Sequence, residues 1–352
     1  MTSNNFVLTT LARNPEYFEE VISLIEEEFH YTKDQDFKKD FAPLVDPINF
    51  ENCYLYIDVE SNVVVAHLAV ALRTMIKNTA EIEVALIGGI VTNKKYRGKK
   101  FFKQLMNHAI MEHQEKVGLF ILWSELENLY EKFSFFRTGG LIETGKKNIN
   151  ADQRPPGFVK TKFNELTDED FNSIAKLYSS FNQNYFFTIK RENKDWSIIR
   201  EMSTVDLFIK KNNNDEIEQY FCCNKGHDLT NIVHEISCLK INDYPILLKQ
   251  LGSFKLWLPE TEGEKVPHGG EIFYTAFLKI GSSQLLNNFL MSITKNDLKI
   301  SNSNDEKIYF SFKEKSFEAS PKDFLQYVFG PIPLTEFKDY QLSMYIAGMD
   351  SI

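Results

Sequence analysis

Alternation and clustering of apolar positions divide the first third of the chain into a regular series of elements. Residues 6–9 suit an edge strand, and Asn14-Pro15 then opens a helix with Phe18, Val21, Ile22, Leu24, Ile25 and Phe29 on one side. Residues 31–47 are charged and without period, which predicts a loop. Residues 54–59, the turn Glu60-Ser61-Asn62 and residues 63–75 read as a β-hairpin; Lys77-Asn78-Thr79 turns the chain again and residues 80–92 form the next strand. A basic turn follows, then a helix from about 97 to 113 that can lay Phe101, Phe102, Leu105, Met106, Ala109 and Ile110 on a sheet. Residues 118–123 make a further strand, and 126–132 a short helix carrying Tyr130.

Residues 148–157 are polar and contain Pro155-Pro156, which marks a linker and sets the expected division into 1–150 and 151–352. Beyond it the rhythm restarts: strand 159–166, helix 168–181, helix 195–202, strands 206–210, 217–224 and 230–239, helix 244–251 and strand 253–259. The order parallels the first half, so a duplication at domain scale is expected. One feature is not repeated, since only Lys-Ile-Asn-Asp separates Leu239 from Tyr244, with no glycine turn. Strands 272–280 and 307–312, a helix at 321–329 and the tail YIAGMDSI complete the chain.

Chemistry concentrates in residues 81–135, where an apolar strand, the turn NKKYRGKK and a helix follow one another. A glycine-containing turn leading into a helix start presents free backbone N–H groups and a positive helix end, which suits a phosphate-bearing ligand.

Three segments in this stretch resemble the acyl-CoA site of the GNAT superfamily of acyl-CoA-dependent N-acyltransferases: Gly89-Ile90-Val91-Thr92, Tyr96-Arg97-Gly98-Lys99 and Leu129-Tyr130-Glu131-Lys132-Phe133-Ser134-Phe135. The run Gly88-Gly89-Ile90-Val91-Thr92 is most similar to the aminoglycoside-type tandem acetyltransferases, the enhanced-intracellular-survival group. Order and spacing agree with the family pattern of strand, Arg-Gly-x-Gly-x-Gly/Ala and a later Tyr-Glu-x-Phe-Gly-Phe-like segment. Lys100 and Phe102 depart from it, standing where second and third glycines are expected.

The resemblance implies an α/β fold: two tandem GNAT-like domains, each a mixed, mostly antiparallel sheet flanked by helices, the second degenerate and without a pyrophosphate cradle. It implies acetyl-CoA as cosubstrate. Ile90, Val91 and Thr92 would bind the pantetheine chain and polarise the thioester; Arg97, Gly98, Lys99, Lys100, Phe101 and Phe102 would hold the pyrophosphate at the helix start. Tyr130 would protonate the departing thiolate, a task a phenol can serve. The base is open among Glu83, Glu125 and the carboxylate of Ile352, the last because aminoglycoside-type relatives bring their chain terminus into the active site. His67, in an apolar strand, reads as lining or core. His108 and His113 lie on the helix away from this chemistry.

Composition narrows the partners. The chain has 352 residues, a soft prior for two domains, with 43% hydrophobic and 25% charged residues, enough for substantial cores. Thirty Phe read as core filling. A net charge of −9 argues against nucleic acid as the main partner and leans weakly toward a cationic acceptor. Cys53, Cys222, Cys223 and Cys238 contain no CxxC pair, so neither a zinc site nor a disulfide framework is signalled. The N-terminus lacks signal-peptide regions, and the apolar run 63–72 is broken by His67 and too short to span a bilayer. A cytoplasmic location and no membrane partner are the expectations. The expected activity is acetyl transfer to an amine of a small molecule or a protein, with the second half walling the acceptor site and homo-oligomerisation left open. Two alternatives stand beside it: a non-catalytic acyl-CoA-binding or scaffold protein, and an aminoacyl or peptidyl transferase.

Overall fold

The computed structural model describes residues 5–32, 35–148, 154–266, 270–304, 306–332, 334–336 and 341–352. Sixteen strands are assigned among the described residues: β1 (Phe6–Thr10), β2 (Cys53–Asp58), β3 (Val63–Lys77), β4 (Ala80–Thr92), β5 (Leu119–Leu122), β6 (Phe136–Thr144), β7 (Val159–Thr161), β8 (Thr188–Ile189), β9 (Asp206–Lys211), β10 (Ile217–Cys223), β11 (Val233–Cys238), β12 (Leu256–Pro259), β13 (Glu271–Ile280), β14 (Leu298–Ser303), β15 (Ile308–Phe312) and β16 (Lys315–Ala319). Thirteen of them form one mixed sheet in the order β1-β2-β3-β4-β5-β13-β6-β12-β11-β10-β9-β7, with β8 on β3. Strands β14, β15 and β16 form a separate small sheet.

Read from either end, the large sheet has the same pattern. Antiparallel strands lead to a parallel pair, β4 with β5 on one side and β11 with β12 on the other. At the middle, β13 lies between β5 and β6 and pairs antiparallel with both, while β6 pairs with β12. Each half therefore lends one strand to the other. The sheet runs without a break from one half to the other; the expected division at 150, and residues 149–153 of the expected linker 148–157, lie outside the described residues.

Helices cover both faces. The helix Phe101–His113 packs Phe101, Leu105, Met106 and Ala109 with Ala85 and Ile87 on one face of the first half. Helices Phe18–Glu28, Ser283–Ile293 and Pro321–Phe329 cover the other face with Leu86 and Val91. In the second half, Tyr244–Leu251 and the pair Asp168–Tyr185 and Asn193–Arg200 divide the two faces between them. All four cysteines are buried thiols. No described helix is long and apolar enough to cross a membrane.

Several boundaries differ from expectation for local reasons. The helix after the basic turn begins at Phe101, because Gly98 and Lys100 adopt positive φ (81° and 69°) and cannot continue a right-handed helix. Phe29 lies beyond the end of its helix and is exposed. The stretch expected to be a loop at 31–47 holds two short helical turns, Phe37–Asp40 and Ala42–Val45, which bury Phe37, Asp40, Leu44 and Val45. The strand expected over 159–166 ends at Thr161, where a 3-10 turn, Phe163–Glu165, takes over.

The tail is an interior element. Phe187 N–H donates to Ser343 O (3.0 Å), Tyr345 N–H donates to Phe187 O (2.9 Å), and the Tyr345 hydroxyl donates to His234 O (2.6 Å). Asp350, 2% exposed, sits in a cluster of buried charges. Arg73 of β3 reaches its Oδ1 at 3.3 Å; Arg191 reaches its Oδ2 at 2.8 Å through Nη2 and also binds Glu235 of β11; Tyr178 donates to Oδ2 at 3.4 Å. Asp195 balances Arg73 at 3.5 Å.

Asp350→Ala removes the carboxylate and leaves two buried guanidiniums undercompensated, so urea unfolding is expected to show a loss of about 3–5 kcal/mol. An unchanged midpoint at unchanged slope would show that the cluster contributes nothing.

Candidate active site

The site starts from a bulge. Strand β4 pairs with β3 along nearly its whole length, but between His67↔Val91 and Ala69↔Gly88 the register shifts, so Gly89 and Ile90 together stand opposite Leu68. Gly89 takes φ +59°, the left-handed region that glycine enters without steric cost. On the other side, the parallel ladder of β4 with β5 spans Val84↔Leu119 to Leu86↔Ile121 and ends there. Beyond Leu86 the two strands part. Backbone groups of 87–92 that face away from β3 line this fork, Ile90 to Thr92 among them, and unpaired backbone donors seek a partner.

The basic turn closes the fork at its far end. The Asn93 side chain accepts from Lys95 N–H (3.1 Å) and Asn93 N–H donates to Val65 O (2.9 Å), which anchors the 3-10 turn Lys94–Tyr96. Gly98 faces open space, with nothing within 4 Å of where a Cβ would stand. The first bond of the following helix runs from Gln104 N–H to Lys100 O (3.1 Å), so the amides of Phe101, Phe102 and Lys103 have no partner within the helix. This is the geometry of an anion cradle. Lys100, where the resemblance expects a second glycine, holds the left-handed conformation that a glycine would take more readily.

The cationic side chains divide their tasks. Arg97 Nη2 binds Glu28 at 2.5 Å and its Nε donates to Thr92 O at 3.3 Å, stapling the turn to the end of helix Phe18–Glu28. Lys94 pairs with Glu27 at 2.9 Å. The Lys99 ammonium lies over the rings of Phe6 and Tyr96, 5.4 and 5.1 Å from their centroids. Arg97 thus shapes the cradle as much as it charges it.

Tyr130 enters from the face of helix Phe101–His113. It is buried against Phe102 (ring centroids 6.0 Å apart), Phe135 (6.5 Å) and Phe277 of β13 (5.9 Å). Burial pushes its pKa above the ordinary phenol value, with a hydrogen bond to Ser124 pulling the other way. A raised pKa keeps the hydroxyl protonated at neutral pH, as a proton donor requires.

The opposite face of the fork is built from small backbone and the chain's last residue. A Cβ at Gly88 would stand 3.4 Å from the carboxyl carbon of Ile352 and 3.0 Å from Leu44 Cδ2. A Cβ at Gly89 would stand 3.3 Å from Leu44, 3.4 Å from His67 Cε1 and 3.4 Å from Ile25. The two glycines are what admits Ile352 and Leu44 this close to the strand. His67 Nδ1 lies 2.8 Å from Gly89 O; a carbonyl only accepts, so Nδ1 carries the proton and Nε2 is left as a buried nitrogen without a partner. Burial pushes the His67 pKa down to about 4.

The structure packs Ile90, Phe101, Phe102 and Tyr130 into one cluster on the helix face, runs from Val91 and Thr92 into the turn 97–100, and sets Ile352 against Gly88 on the other face. It sets Glu83 apart: that side chain is exposed, accepts from Thr74 Oγ1 at 2.8 Å, and stands six residues before Gly89, roughly 20 Å of extended strand. Glu125 is exposed just beyond β5, with its backbone carbonyl accepting from Arg137 Nη2 at 3.3 Å. Residues that sequence reasoning did not assign to the site are Gly88, which makes room for Ile352, and Leu44 and Phe277, which arrive from elements distant in sequence. The doubled glycine at 88–89 was the one visible signal.

Comparison with known proteins agrees with this geometry. Residues 12–137 match the family model described as an acetyltransferase (GNAT) domain. Among solved structures, a probable N-acyltransferase from Enterococcus faecalis V583 shares 13% identity at a TM-score of 0.62, over 99% of this chain and 97% of its own. A GCN5-related N-acetyltransferase from Anabaena variabilis shares 12% identity at 0.62, over 99% of this chain and 100% of its own. Saccharomyces cerevisiae N-myristoyltransferase with bound myristoyl-CoA shares 10% at 0.53, over 79% and 83%. At these identities the likeness is one of fold. No curated protein matches the chain.

Two outcomes follow. Unfolded histidine protonates near 6.5, whereas His67 and His234 in the fold stay neutral down to about 4, so the unfolded state binds more protons in between. Stability is then lost as pH falls from about 6.5 to about 4, by about 3 kcal/mol for each histidine at most. Urea midpoints should show this, with a shallower fall in His67→Gln. Lys100→Gly relieves a left-handed non-glycine and, after the added unfolded-state entropy, should stabilise by about 0.5–1 kcal/mol; a destabilised variant would mean the lysine side chain is doing something the turn needs.

Proposed function

We propose that this protein transfers an acyl group, acetyl in the first instance, from its CoA thioester to an amine. The observation that carries this reading is the fork between β4 and β5, with an anion cradle and a protonated tyrosine on one face and the carboxyl end of Ile352 beside Gly88 on the other. The cradle amides of 98–103 suit the diphosphate of the thioester cosubstrate, and the open backbone of 90–92 suits its pantetheine amides.

In this reading the amine nitrogen attacks the thioester carbonyl carbon, the new C–N bond forms, and the C–S bond breaks. The carboxylate of Ile352 takes the proton the amine must lose, and the Tyr130 hydroxyl returns one to the departing sulfur. Glu125 is the second choice for base, from its place at the end of β5; Glu83 is the weakest, given its distance from the bulge. We read residues 151–352 as a degenerate copy of the first half: the strand order supports this, and the turn at 239–243 offers no glycine cradle. That half supplies the tail and β13, and so walls the acceptor side. The acceptor is an amine of a small molecule or a protein; the acidic balance of the chain favours a cationic one.

Calorimetric titration of acetyl-CoA into the protein is the test. Micromolar binding that is lost in Arg97→Glu, where a carboxylate would face Glu28, supports the reading. With an acceptor in hand, Tyr130→Phe should lower kcat about 10²-fold, and removal of Ile352 should lower kcat while leaving acetyl-CoA affinity intact. Absence of binding to acetyl-CoA and to longer acyl-CoA esters would overturn catalysis and leave a scaffold that keeps the fold.

A further inference from the structure

Lys225 is an unusual group for its position. It follows β10 in a turn, is 1% exposed, and donates to two carbonyls of the tail, Gly348 O at 2.7 Å and Ser351 O at 2.6 Å. Its ammonium also lies over the ring of Phe41, 4.6 Å from the centroid. A lysine rarely goes fully inside unless its donors are satisfied by specific partners. Here those partners are the backbone on either side of Asp350, next to the residue that reaches Gly88.

The surroundings are equally specific. Asp40, fully buried, accepts from Thr204 through Oδ1, while its Oδ2 has no hydrogen-bond partner. That Oδ2 and the Tyr31 hydroxyl each lie 3.4 Å from where a Cβ at Gly226 would stand, beside Lys225. The tail passes too close for a side chain at Gly348, whose Cβ would meet Leu229 at 2.4 Å and His234 at 2.6 Å. Of the charges facing the lysine, Asp350 and Asp40 favour its cation and Arg191 and Arg73 oppose it, with His234 held neutral nearby.

We propose that Lys225 is a positioning residue: by clamping the carbonyls of Gly348 and Ser351 it fixes the end of the tail beside Gly88, and through Phe41 and Asp40 it couples that placement to the segment 36–45. The inference rests on the acyl-transfer reading for its catalytic consequence, but its structural content stands apart from it. Burial pushes the Lys225 pKa down to about 7. Both forms can serve the two carbonyls, since the neutral amine has two N–H donors; the ammonium adds a charge facing Asp40 and Asp350. The unfolded chain holds this proton up to 10.5, so the group's contribution to stability improves as pH rises from about 7 toward 10.5 and is lost as pH falls through that window.

The test uses the full chain with Lys225→Met and Lys225→Gln, the second keeping an N–H donor pair without charge. Carboxypeptidase release of Ile352, followed by mass spectrometry, should be at least tenfold faster in Lys225→Met than in the parent protein and intermediate in Lys225→Gln. Acetyl-CoA affinity should change less than twofold. With an acceptor identified, kcat should fall at least tenfold in Lys225→Met at unchanged KM for acetyl-CoA. Equal release rates in all three proteins would overturn the proposal. Loss of acetyl-CoA binding in the parent protein would instead overturn the acyl-transfer reading and leave the clamp standing. Should the variants fail to fold, lysine side-chain 15N spectra of the parent protein decide: one lysine whose side-chain protons exchange slowly supports the clamp, and fast exchange at every lysine overturns it.

Discussion

Everything else in the structure depends on neutralising Asp350. A carboxylate at 2% exposure is costly unless charges of opposite sign and hydrogen bonds surround it, and here Arg73, Arg191 and Tyr178 do so from elements far apart in sequence. Arg73 belongs to β3 and Glu235, the second partner of Arg191, to β11. The cluster therefore joins the two halves of the sheet through the tail, and neither half can withdraw without leaving a charge uncompensated. A pairing of this kind adds little net stability over an apolar core, but it admits very few arrangements. Placement of the chain's last residues is its product.

The fork between β4 and β5 is the complementary constraint. Parallel pairing ends at Leu86↔Ile121 because the bulge at Gly89 and Ile90 turns β4 away, and β5 stops at Leu122. In a flat continuous sheet those backbone groups would be consumed by the ladder. Strand β13, lent by the second half, takes the free side of β5 and brings Phe277 against Tyr130. One element thus completes the sheet and buries the phenol whose protonation the proposed chemistry needs.

The same economy governs electrostatics at the turn. Its cations outnumber what the local helix needs, but Glu27 and Glu28 take two of them, and Lys99 lies over aromatic rings. Lys95 and Lys100 stay exposed beside the backbone N–H groups of the turn, which are directional and rigid. The proposed anion site would combine these backbone dipoles with the two cations, and the turn keeps its left-handed step with a lysine at position 100.

Much of this was legible in the chain itself. The alternation over 54–92 sets three antiparallel strands, the turn 93–100 marks a cradle, and the helix through Leu105, Met106 and Ala109 needs a sheet beneath it; these are local patterns, and local physics decides them. The parallel rhythm of the second half and its missing glycine turn were likewise visible. Other features were not. Strand β6 and the helix Ser283–Ile293 carried no pattern that was recognised, the insertion of β13 between β5 and β6 is a pairing choice across more than a hundred residues, and Asp40, Lys225 and Asp350 look like ordinary surface charges in sequence. Sequence by itself determined the strands over 54–92 and the glycine-containing form of the turn, because both depend on neighbours a few residues away. Only the tertiary structure decided which buried charges face one another and that Ile352 ends beside Gly88, because those energies come from desolvation in an interior that exists only once the chain has closed around it.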